Sequence, residues 1–344
     1  MLALPLLALP SVAPAQSPAS RSPEITSELR LAIGRGLDYL VKKQTASGDI
    51  DSEYSVAVNA LAGLAFLSSG HTYNSGPKPA YSRALRLTTE ALLRRQRPSG
   101  YFDDGQSLMY GHGFATLYLA ELFGTMPDDD GRIQNALRSA IRLIERSQGR
   151  DGGWDYCPEG ECQRSFGGSD TSITVCQTMA LRAARNLGIA IDASVLKSAR
   201  RFIERAQNDD GGFRYRFGPK SELPLGLLSG SQFPRSAAGV CILYSLGDYN
   251  SQRIRDGFRY IEKRYRSSNL FPYYGHYYCA QAMFQVGGRA WREYFTFIRA
   301  ELLRIQKRDG SWRSKSEREN SAQATAMALI VLQLPYRLLP IHER

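Results

Sequence analysis

The sequence predicts an all-α protein in which six helical hairpins form an (α/α)6 toroid with an inner and an outer barrel of helices. A Gln-x-x-x-Gly-x-apolar motif recurs along the chain, an amphipathic helix precedes each copy, and a helix with few charges follows it. A helix that is apolar all round is buried on every side, so the second helix of each hairpin is the inner one. Hairpins of this kind close naturally into a ring.

The repeated motif divides the chain into six units. Glycine permits the tight turn that the motif contains. In one unit Asn269 takes the place of the glycine between Tyr265 and Phe271, and Asn is the usual substitute where the backbone must be left-handed. The other copies are Gln44/Gly48/Ile50, Gln96/Gly100/Phe102, Gln148/Gly152/Trp154, Gln207/Gly211/Phe213 and Gln306/Gly310/Trp312.

Each unit contains one helix of each kind. The helix before the motif carries apolar residues at helical spacing, as Ala140, Leu143 and Ile144 do, with Arg and Lys between them. This pattern is typical of a solvent-facing helix. We predict the inner helices over residues 56–67, 114–123, 172–184, 237–246, 277–286 and 322–332.

The N-terminus resembles a secretory signal. Residues 1–15 are apolar and carry no charge, and Ala13-Pro14-Ala15 before Gln16 is typical of a small-x-small cleavage site. We therefore expect a signal peptide over 1–15, a flexible segment over 16–27, the toroid over 28–335 and a tail over 336–344. No later segment has the ~18 consecutive apolar residues of a membrane span, so we expect an exported, soluble chain, periplasmic or extracellular. A disordered N-terminus or a misplaced start codon is the alternative, since no Lys or Arg lies near Met1.

Composition and charge limit the class of partner. Of the 344 residues, 43% are hydrophobic and 22% are charged, which excludes disordered and collagen-like polymers. The formal net charge of +11 favours an anionic partner such as a lipid headgroup, a membrane surface, a phosphate or an acidic polysaccharide. Because the charge is spread along the chain, we expect no nucleic-acid partner. We also expect a monomer.

The five cysteines are too few for a disulfide scaffold in a chain of this length. Cys157 and Cys162 share a loop and can form a local disulfide in an oxidising compartment. Cys176, Cys241 and Cys279 lie in apolar helical stretches and are expected in the core. Neither a CxxC pair nor an HExxH motif occurs, and we predict no metal and no cofactor.

Three of the motifs resemble the QW repeats of the squalene cyclase and protein-prenyltransferase β-subunit superfamily. They are Gln148–Trp154, Gln207–Phe213 and Gln306–Trp312, and the resemblance extends over roughly residues 28–335. It implies an (α/α)6 toroid with a central cavity, and an isoprenoid or other polycyclic lipid as its ligand. The motif itself has a structural task, since the Gln amide can satisfy backbone groups at helix ends.

Residues just before the inner helices are expected to form one rim of the cavity. Tyr110-Gly111-His112 and Tyr274-Gly275-His276 lie three repeats apart and would oppose each other across the ring. We predict that acid–base groups and ligand-binding side chains meet there. The alternative is that these residues only cap helices. The predicted catalytic residues are His112, Asp170 and His276, and the predicted substrate-binding residues are Tyr110, Arg235, Tyr273, Tyr274, Tyr277 and Tyr278.

Departures from the family patterns argue against its best-known reactions. Cyclases of the squalene–hopene type use a DxDD-Thr motif, and Ser169 stands at the position of its acid when Asp170-Thr171 is aligned. Prenyltransferases bind zinc through an Asp-x-Cys pair and a later His. His276 matches that His, but residues 233–237 lack the pair. The Gly-Cys-Gly-Glu-Gln signature of the thioester proteins is also missing.

Three functions remain open. The first is an enzyme or binding protein for an isoprenoid or other polycyclic lipid, which we favour. The second is an exported enzyme acting on polysaccharides, because unrelated α/α toroids degrade acidic polysaccharides. The third is a non-catalytic interaction scaffold. A ligand-sized cavity ringed by aromatic residues favours the first, an open groove with converging Arg and Lys the second, and a cavity filled by side chains the third.

Overall fold

Twelve α-helices account for most of the residues that the computed structural model describes, which are 24–158, 160–162, 167–217, 229–268, 272–313 and 320–342. Within these ranges the β-structure is limited to isolated bridges, so the all-α prediction is confirmed. The helices are α1 Ser27–Lys43, α2 Ser55–Ser68, α3 Pro79–Leu93, α4 Leu108–Thr125, α5 Arg132–Arg146, α6 Thr171–Asn186, α7 Ala193–Ala206, α8 Phe233–Ser245, α9 Gln252–Glu262, α10 Pro272–Val286, α11 Gly288–Ile305 and α12 Ser321–Gln333. The predicted signal peptide and the centre of the fifth motif, Asn269 to Phe271, lie outside the described residues.

The six even-numbered helices form a closed inner ring. Each packs against the next in the order α2, α4, α6, α8, α10, α12, and α12 packs against α2. The odd-numbered helices surround this ring. Helices α2, α4 and α12 bury nearly every residue, whereas α5, α7 and α9 bury one face. The predicted (α/α)6 toroid is therefore the observed architecture.

The motif glutamine joins neighbouring units. Its side-chain Nε2 donates one hydrogen bond to the motif glycine carbonyl and another to a carbonyl in the next outer helix. In the third unit the acceptors of Gln148 are Gly152 O at 2.8 Å and Val195 O at 2.9 Å. Gln44, Gln96, Gln207 and Gln306 repeat the arrangement.

The motif glycine cannot be replaced without strain. Its φ lies between +83° and +94° in the five described copies, a region that other residues rarely adopt. A Cβ atom would lie 2.2–2.4 Å from a carbonyl oxygen of the next outer helix, for example that of Ser198 above Gly152. Glycine thus allows the turn and the helix to touch. The copies are Gly48, Gly100, Gly152, Gly211 and Gly310.

The C-terminal segment covers one end of the inner barrel. Two short 3-10 helices, Leu334–Tyr336 and Pro340–His342, pack against α4, α6, α10 and α12. The backbone N–H of Ile341 donates to Glu121 Oε2 at 3.2 Å. The N-terminal ends of the inner helices form the opposite end, which we call the mouth. Among the described helices, none is long and apolar enough to cross a membrane.

Candidate functional site

Asp170 lies at the mouth as the N-cap of α6 and is fully buried. Its Oδ1 accepts hydrogen bonds from the backbone N–H groups of Ser172 and Ile173 at 2.6 and 3.1 Å. Its Oδ2 lies 4.0 Å from Arg216 Nε and makes no well-aligned hydrogen bond to a described residue. Burial raises the pKa of this carboxyl, although the Ile173 N–H, the Arg216 charge and the nearby Tyr215 hydroxyl oppose the shift. Asp170 therefore holds a proton more readily than an ordinary aspartate.

Two motif loops meet at Asp170 and fix its backbone. Its N–H donates to Trp154 O at 2.8 Å, and the N–H of Thr171 donates to Tyr215 O at 3.0 Å. Trp154 belongs to the motif of the third unit and Tyr215 follows that of the fourth. The polar residues near Asp170 therefore come from loops of adjacent units.

Two tyrosines beside Asp170 share a hydrogen bond. The hydroxyl oxygens of Tyr156 and Tyr215 are 2.5 Å apart. Burial raises the pKa of Tyr215 to about 12 and that of Tyr156 further, and the nearby Asp170 charge acts in the same direction. Both phenols are therefore neutral at physiological pH and can donate a proton in a hydrogen bond.

Two guanidinium groups flank this cluster. Arg216 donates to Asp155 Oδ1 at 2.6 Å and to Gly168 O at 2.8 Å. Arg235, in the first turn of α8, donates to Gln232 Oε1 at 2.6 Å, and its guanidinium carbon lies 5.1 Å from the ring centre of Tyr215. Burial lowers the pKa of Arg235. When Asp170 is protonated, the group formed by Asp155, Asp170, Arg216 and Arg235 carries a net positive charge.

Aromatic side chains of opposite inner helices meet across the ring. Tyr110 of α4 lies 6.3 Å from Tyr274 of α10 between ring centres, and Phe114 lies 6.0 Å from Tyr277. Tyr278 packs edge-on against Tyr274 and Tyr277 at 5.0 and 4.8 Å. At this level the centre of the toroid is therefore filled by aromatic rings.

The two predicted catalytic histidines lie elsewhere. His112 Nδ1 accepts from the N–H of Phe102 at 3.2 Å, and Nε2 is 3.3 Å from Ala140 O, to which it donates. His276 Nδ1 is 3.1 Å from the hydroxyl of Tyr294 on α11. Burial lowers the pKa of His112 to about 3 and that of His276 to about 4. We expected a shared rim, but each imidazole is a neutral group packed between an inner helix and the outer layer.

The difference has a geometric cause. We expected the Tyr-Gly-His segments before the inner helices, but α4 begins at Leu108 and α10 at Pro272, so both segments are helical. Successive residues of an α-helix point about 100° apart, so residues two positions apart face nearly opposite sides. Tyr110 and Tyr274 consequently face the ring, and His112 and His276 face outward.

The other predicted residues divide into two groups. Tyr110, Tyr274 and Arg235 lie close enough to Asp170 for its charge to affect their pKa values, and Tyr277 and Tyr278 lie in the aromatic interior. Tyr273 faces the sixth unit instead, where its hydroxyl donates to Arg313 O at 3.2 Å.

Sequence reasoning missed Tyr156, Tyr215 and Arg216. A signal was present, because Tyr156 and Tyr215 each follow a motif aromatic, Trp154 or Phe213, by two positions. Equivalent positions in adjacent units of a ring lie on the same face, so a pair of tyrosines at this offset could have been identified.

The cysteines occupy the two kinds of position that were predicted. Cys157 and Cys162 are bonded, with their Cα atoms 5.8 Å apart, directly after Tyr156. Cys176, Cys241 and Cys279 are buried thiols. Within the described ranges no group of three or more His, Cys, Asp or Glu side chains is placed to hold a metal ion.

Solved structures of two kinds of protein share this architecture. A single-residue variant of the type II terpene cyclase MstE from Scytonema, in complex with geranylgeranyl dihydroxybenzoate, matches with a TM-score of 0.62 at 16% identity over 91% of this chain and 98% of the cyclase chain. An inactive variant of an α-1,6-mannanase from Salegentibacter, in complex with α-1,6-mannotetrose, matches with a TM-score of 0.65 at 7% identity over 91% and 100% of the two chains.

A family 76 glycoside hydrolase from Bacteroides thetaiotaomicron matches with a TM-score of 0.66 at 11% identity over 91% of this chain and 78% of the hydrolase chain. No protein-family model and no curated protein matches the sequence. At these identities the likeness establishes the fold. The chain has the α/α-toroid architecture that terpene cyclases and family 76 glycoside hydrolases share.

Proposed function

We propose that this protein binds an isoprenoid or other polycyclic lipid in the aromatic interior of the inner ring and that Asp170 acts on it as a proton donor. The observation that carries the proposal is the state of Asp170, a fully buried carboxyl with a raised pKa and one oxygen that makes no well-aligned hydrogen bond to a described residue. Perturbed carboxyls in such surroundings favour acid catalysis. The likeness to a terpene cyclase supports the choice of ligand.

The residues present can complete a proton-transfer cycle. The Oδ2–H bond of protonated Asp170 breaks, a C–H bond forms at a ligand double bond, and a carbocation is left on the neighbouring carbon. The carboxylate that remains keeps two backbone N–H donors on Oδ1. The faces of Tyr110, Tyr274 and Tyr277 stabilise a cation in the interior. Return of a proton from an adjacent carbon to Asp170 would complete an isomerisation, with or without ring closure.

Ser169, which aligns with the acid of the squalene–hopene cyclases, is unsuited to this task. Its hydroxyl donates to Asp151 Oδ1 at 2.6 Å, and a serine hydroxyl is a very weak acid. We therefore assign proton donation to Asp170, the next residue in the chain.

Isotope incorporation tests this assignment. The enzyme is incubated in D2O with a panel of linear isoprenoid alcohols and hydrocarbons, and the products are analysed by mass spectrometry. We expect deuterium on carbon with the native protein and none with Asp170→Asn. Asparagine can still cap α6 through its side-chain oxygen, so the melting temperature should change little. Native protein that converts none of these compounds and retains no apolar molecule through purification would refute the proposal.

The filled centre of the ring favours a second candidate, a non-catalytic scaffold. Contacts such as Tyr110–Tyr274 leave little room at their level unless the side chains change rotamer. A scaffold should show the same thermal stability with and without isoprenoids. A polysaccharide-active enzyme is less well supported. Glycoside hydrolysis usually needs two carboxyl groups, and the adjacent pair Asp103–Asp104 is engaged in structural contacts. Asp104 accepts hydrogen bonds from the backbone N–H groups of Val56 and Ser107, and Asp103 pairs with Arg97.

A further inference from the structure

An ion pair flanks Asp170 at the mouth. The backbone of Asp170 forms isolated β-bridges with Trp154 on one side and with Arg216 on the other. Asp155 directly follows Trp154, and its Oδ1 lies 2.6 Å from Arg216 Nη2. The acid of the proposed function therefore lies next to both partners of this ion pair.

Arg216 has two carboxyl groups within 4.0 Å. Its Nη2 donates to Asp155 Oδ1 and, at 2.8 Å, to Gly168 O. Its Nε lies 4.0 Å from Asp170 Oδ2, which is beyond hydrogen-bond distance. The guanidinium is therefore bonded to Asp155 and is only a neighbour of Asp170.

The burial of these side chains makes the choice of partner decisive. The side chains of Arg216 and Asp155 are 6% and 18% exposed, and that of Asp170 is fully buried. A buried guanidinium needs a counter-ion, because an unpaired charge in such surroundings is strongly destabilising. One ionised carboxylate meets that need, and Asp155 supplies it. The second carboxyl, Asp170, can then keep its proton, which its burial favours.

Other titratable groups face Asp170 from neighbouring elements. Arg235 of α8 favours the ionised form of Asp170, but its hydrogen bonds go to the neutral acceptors Gln232 Oε1 and Gly230 O. Arg216 is the one cation of the described residues within 4.0 Å of Asp170. The remaining groups are phenols, which are neutral at physiological pH. They are Tyr110 of α4, Tyr274 of α10, and Tyr156 and Tyr215 of the motif loops.

We infer that Asp155 is a positioning residue for this acid, because it holds Arg216 in an ion pair beyond hydrogen-bond distance of Asp170 and so leaves Asp170 its proton. The inference rests on the proposed function only in naming Asp170 as the acid, since the proton on Asp170 can be observed without any ligand. If residue 155 loses its charge, Asp170 becomes the counter-ion of Arg216 and ionises.

Infrared spectroscopy of the full chain in D2O tests the inference. A protonated carboxyl has a C=O stretching band that a carboxylate lacks, and Asp170→Asn identifies the band of Asp170. The pH at which half of this band is lost is measured for each variant. We expect Asp155→Asn, whose amide oxygen can still accept from Arg216, to lower this pH by about 1–2 pH units. Asp155→Glu keeps the charge and should leave it nearly unchanged.

A rescue and a matched control separate the charge of Asp155 from its contacts. Adding Arg216→Gln to Asp155→Asn removes the cation and should return the half-loss of the band to the native pH or above it. The control is Asp103→Asn. Asp103 follows Phe102 as Asp155 follows Trp154, but it pairs with Arg97. The control should leave the half-loss pH unchanged, and circular dichroism verifies that each variant is folded.

Three results would overturn the inference. They are an unchanged half-loss pH in Asp155→Asn, an equal decrease in Asp103→Asn, and the absence, at every pH at which the protein is folded, of a band that Asp170→Asn removes. Failure of the proposed function has a different signature. The half-loss pH then changes as expected, but native protein introduces no deuterium into any isoprenoid of the panel. In that case Asp155 still controls the proton on Asp170.

Discussion

Gln306, in the last motif of the chain, donates a hydrogen bond from Nε2 to the carbonyl oxygen of Ala32 in the first helix at 2.9 Å. The same amide donates to Gly310 O at 3.0 Å. Every other described motif glutamine joins one unit to the next, and this one joins the last unit to the first. It closes the ring.

Replacing Gln306 with alanine should therefore destabilise the toroid. Two partly buried carbonyls lose their donor, and we expect the free energy of unfolding to fall by about 1–3 kcal/mol. Chemical denaturation measures the change. Gln252→Ala, at an exposed glutamine of α9, is the control and should change stability by less than about 0.5 kcal/mol. Equal effects of the two substitutions would contradict a closing role for Gln306.

Replacing the motif glycine with alanine should destabilise the protein more than the same replacement at another glycine with positive φ. Gly188 has φ +77°, and a Cβ atom added there would meet only open space within 4 Å, so Gly188→Ala costs only the backbone strain, about 1–2 kcal/mol. Gly152→Ala adds an overlap with Ser198 O at 2.4 Å, and we expect about 1–3 kcal/mol more destabilisation. Thermal unfolding of the two variants gives the difference, and similar melting temperatures would show that the turn and α7 can move apart.

His112 and His276 should make stability depend on pH. The pKa of each is lower in the folded protein than the ordinary value of 6.5, to about 3 and about 4. The unfolded chain therefore binds more protons below pH 6.5, and the folded state loses stability as pH falls from about 6.5 toward 4. The slope approaches about 1.4 kcal/mol per pH unit for each imidazole.

Phenylalanine at either position removes that titration. His112→Phe and His276→Phe should each be less stable at pH 7 and show a shallower decline between pH 6.5 and 4 in denaturant titrations. Deuterium incorporation by the folded variants at pH 7 should match that of the native protein. A loss of incorporation without a change in pH dependence would return the imidazoles to the catalytic role first expected of them.

The hydrogen bond between the hydroxyls of Tyr156 and Tyr215 should give a measurable coupling energy in the free energy of unfolding. Tyr156→Phe and Tyr215→Phe each remove one end of the hydrogen bond that joins the two hydroxyls at 2.5 Å, whereas the double variant removes both hydroxyls. We therefore expect the two effects on unfolding free energy to be non-additive by about 0.5–1.5 kcal/mol. A double-mutant cycle measures this term. Strictly additive effects would mean that the two hydroxyls do not bond in solution.

The scaffold was largely predictable because its contacts are short-range and repeated. Gln148 donates hydrogen bonds to Gly152, four residues later, and to the next outer helix. Motif spacing alone therefore indicates where each turn lies and where neighbouring units contact each other. Asp170 was also predictable, since an N-cap position before an apolar run has a clear pattern. The directions in which His112 and His276 point were not predictable, because a shift of the helix start by a few residues reverses which side chain points inward.

By itself the sequence determined the six-unit ring, its buried inner helices and the presence of Asp170 at the head of one of them. Only the tertiary structure decided which side chains surround that carboxyl. Tyr156 and Tyr215 come from loops 59 positions apart, and Tyr110 meets Tyr274 across the ring. Such neighbours are set by how far the ring curves and where each helix starts. These properties depend on the packing of all six units together, and local periodicity does not record them.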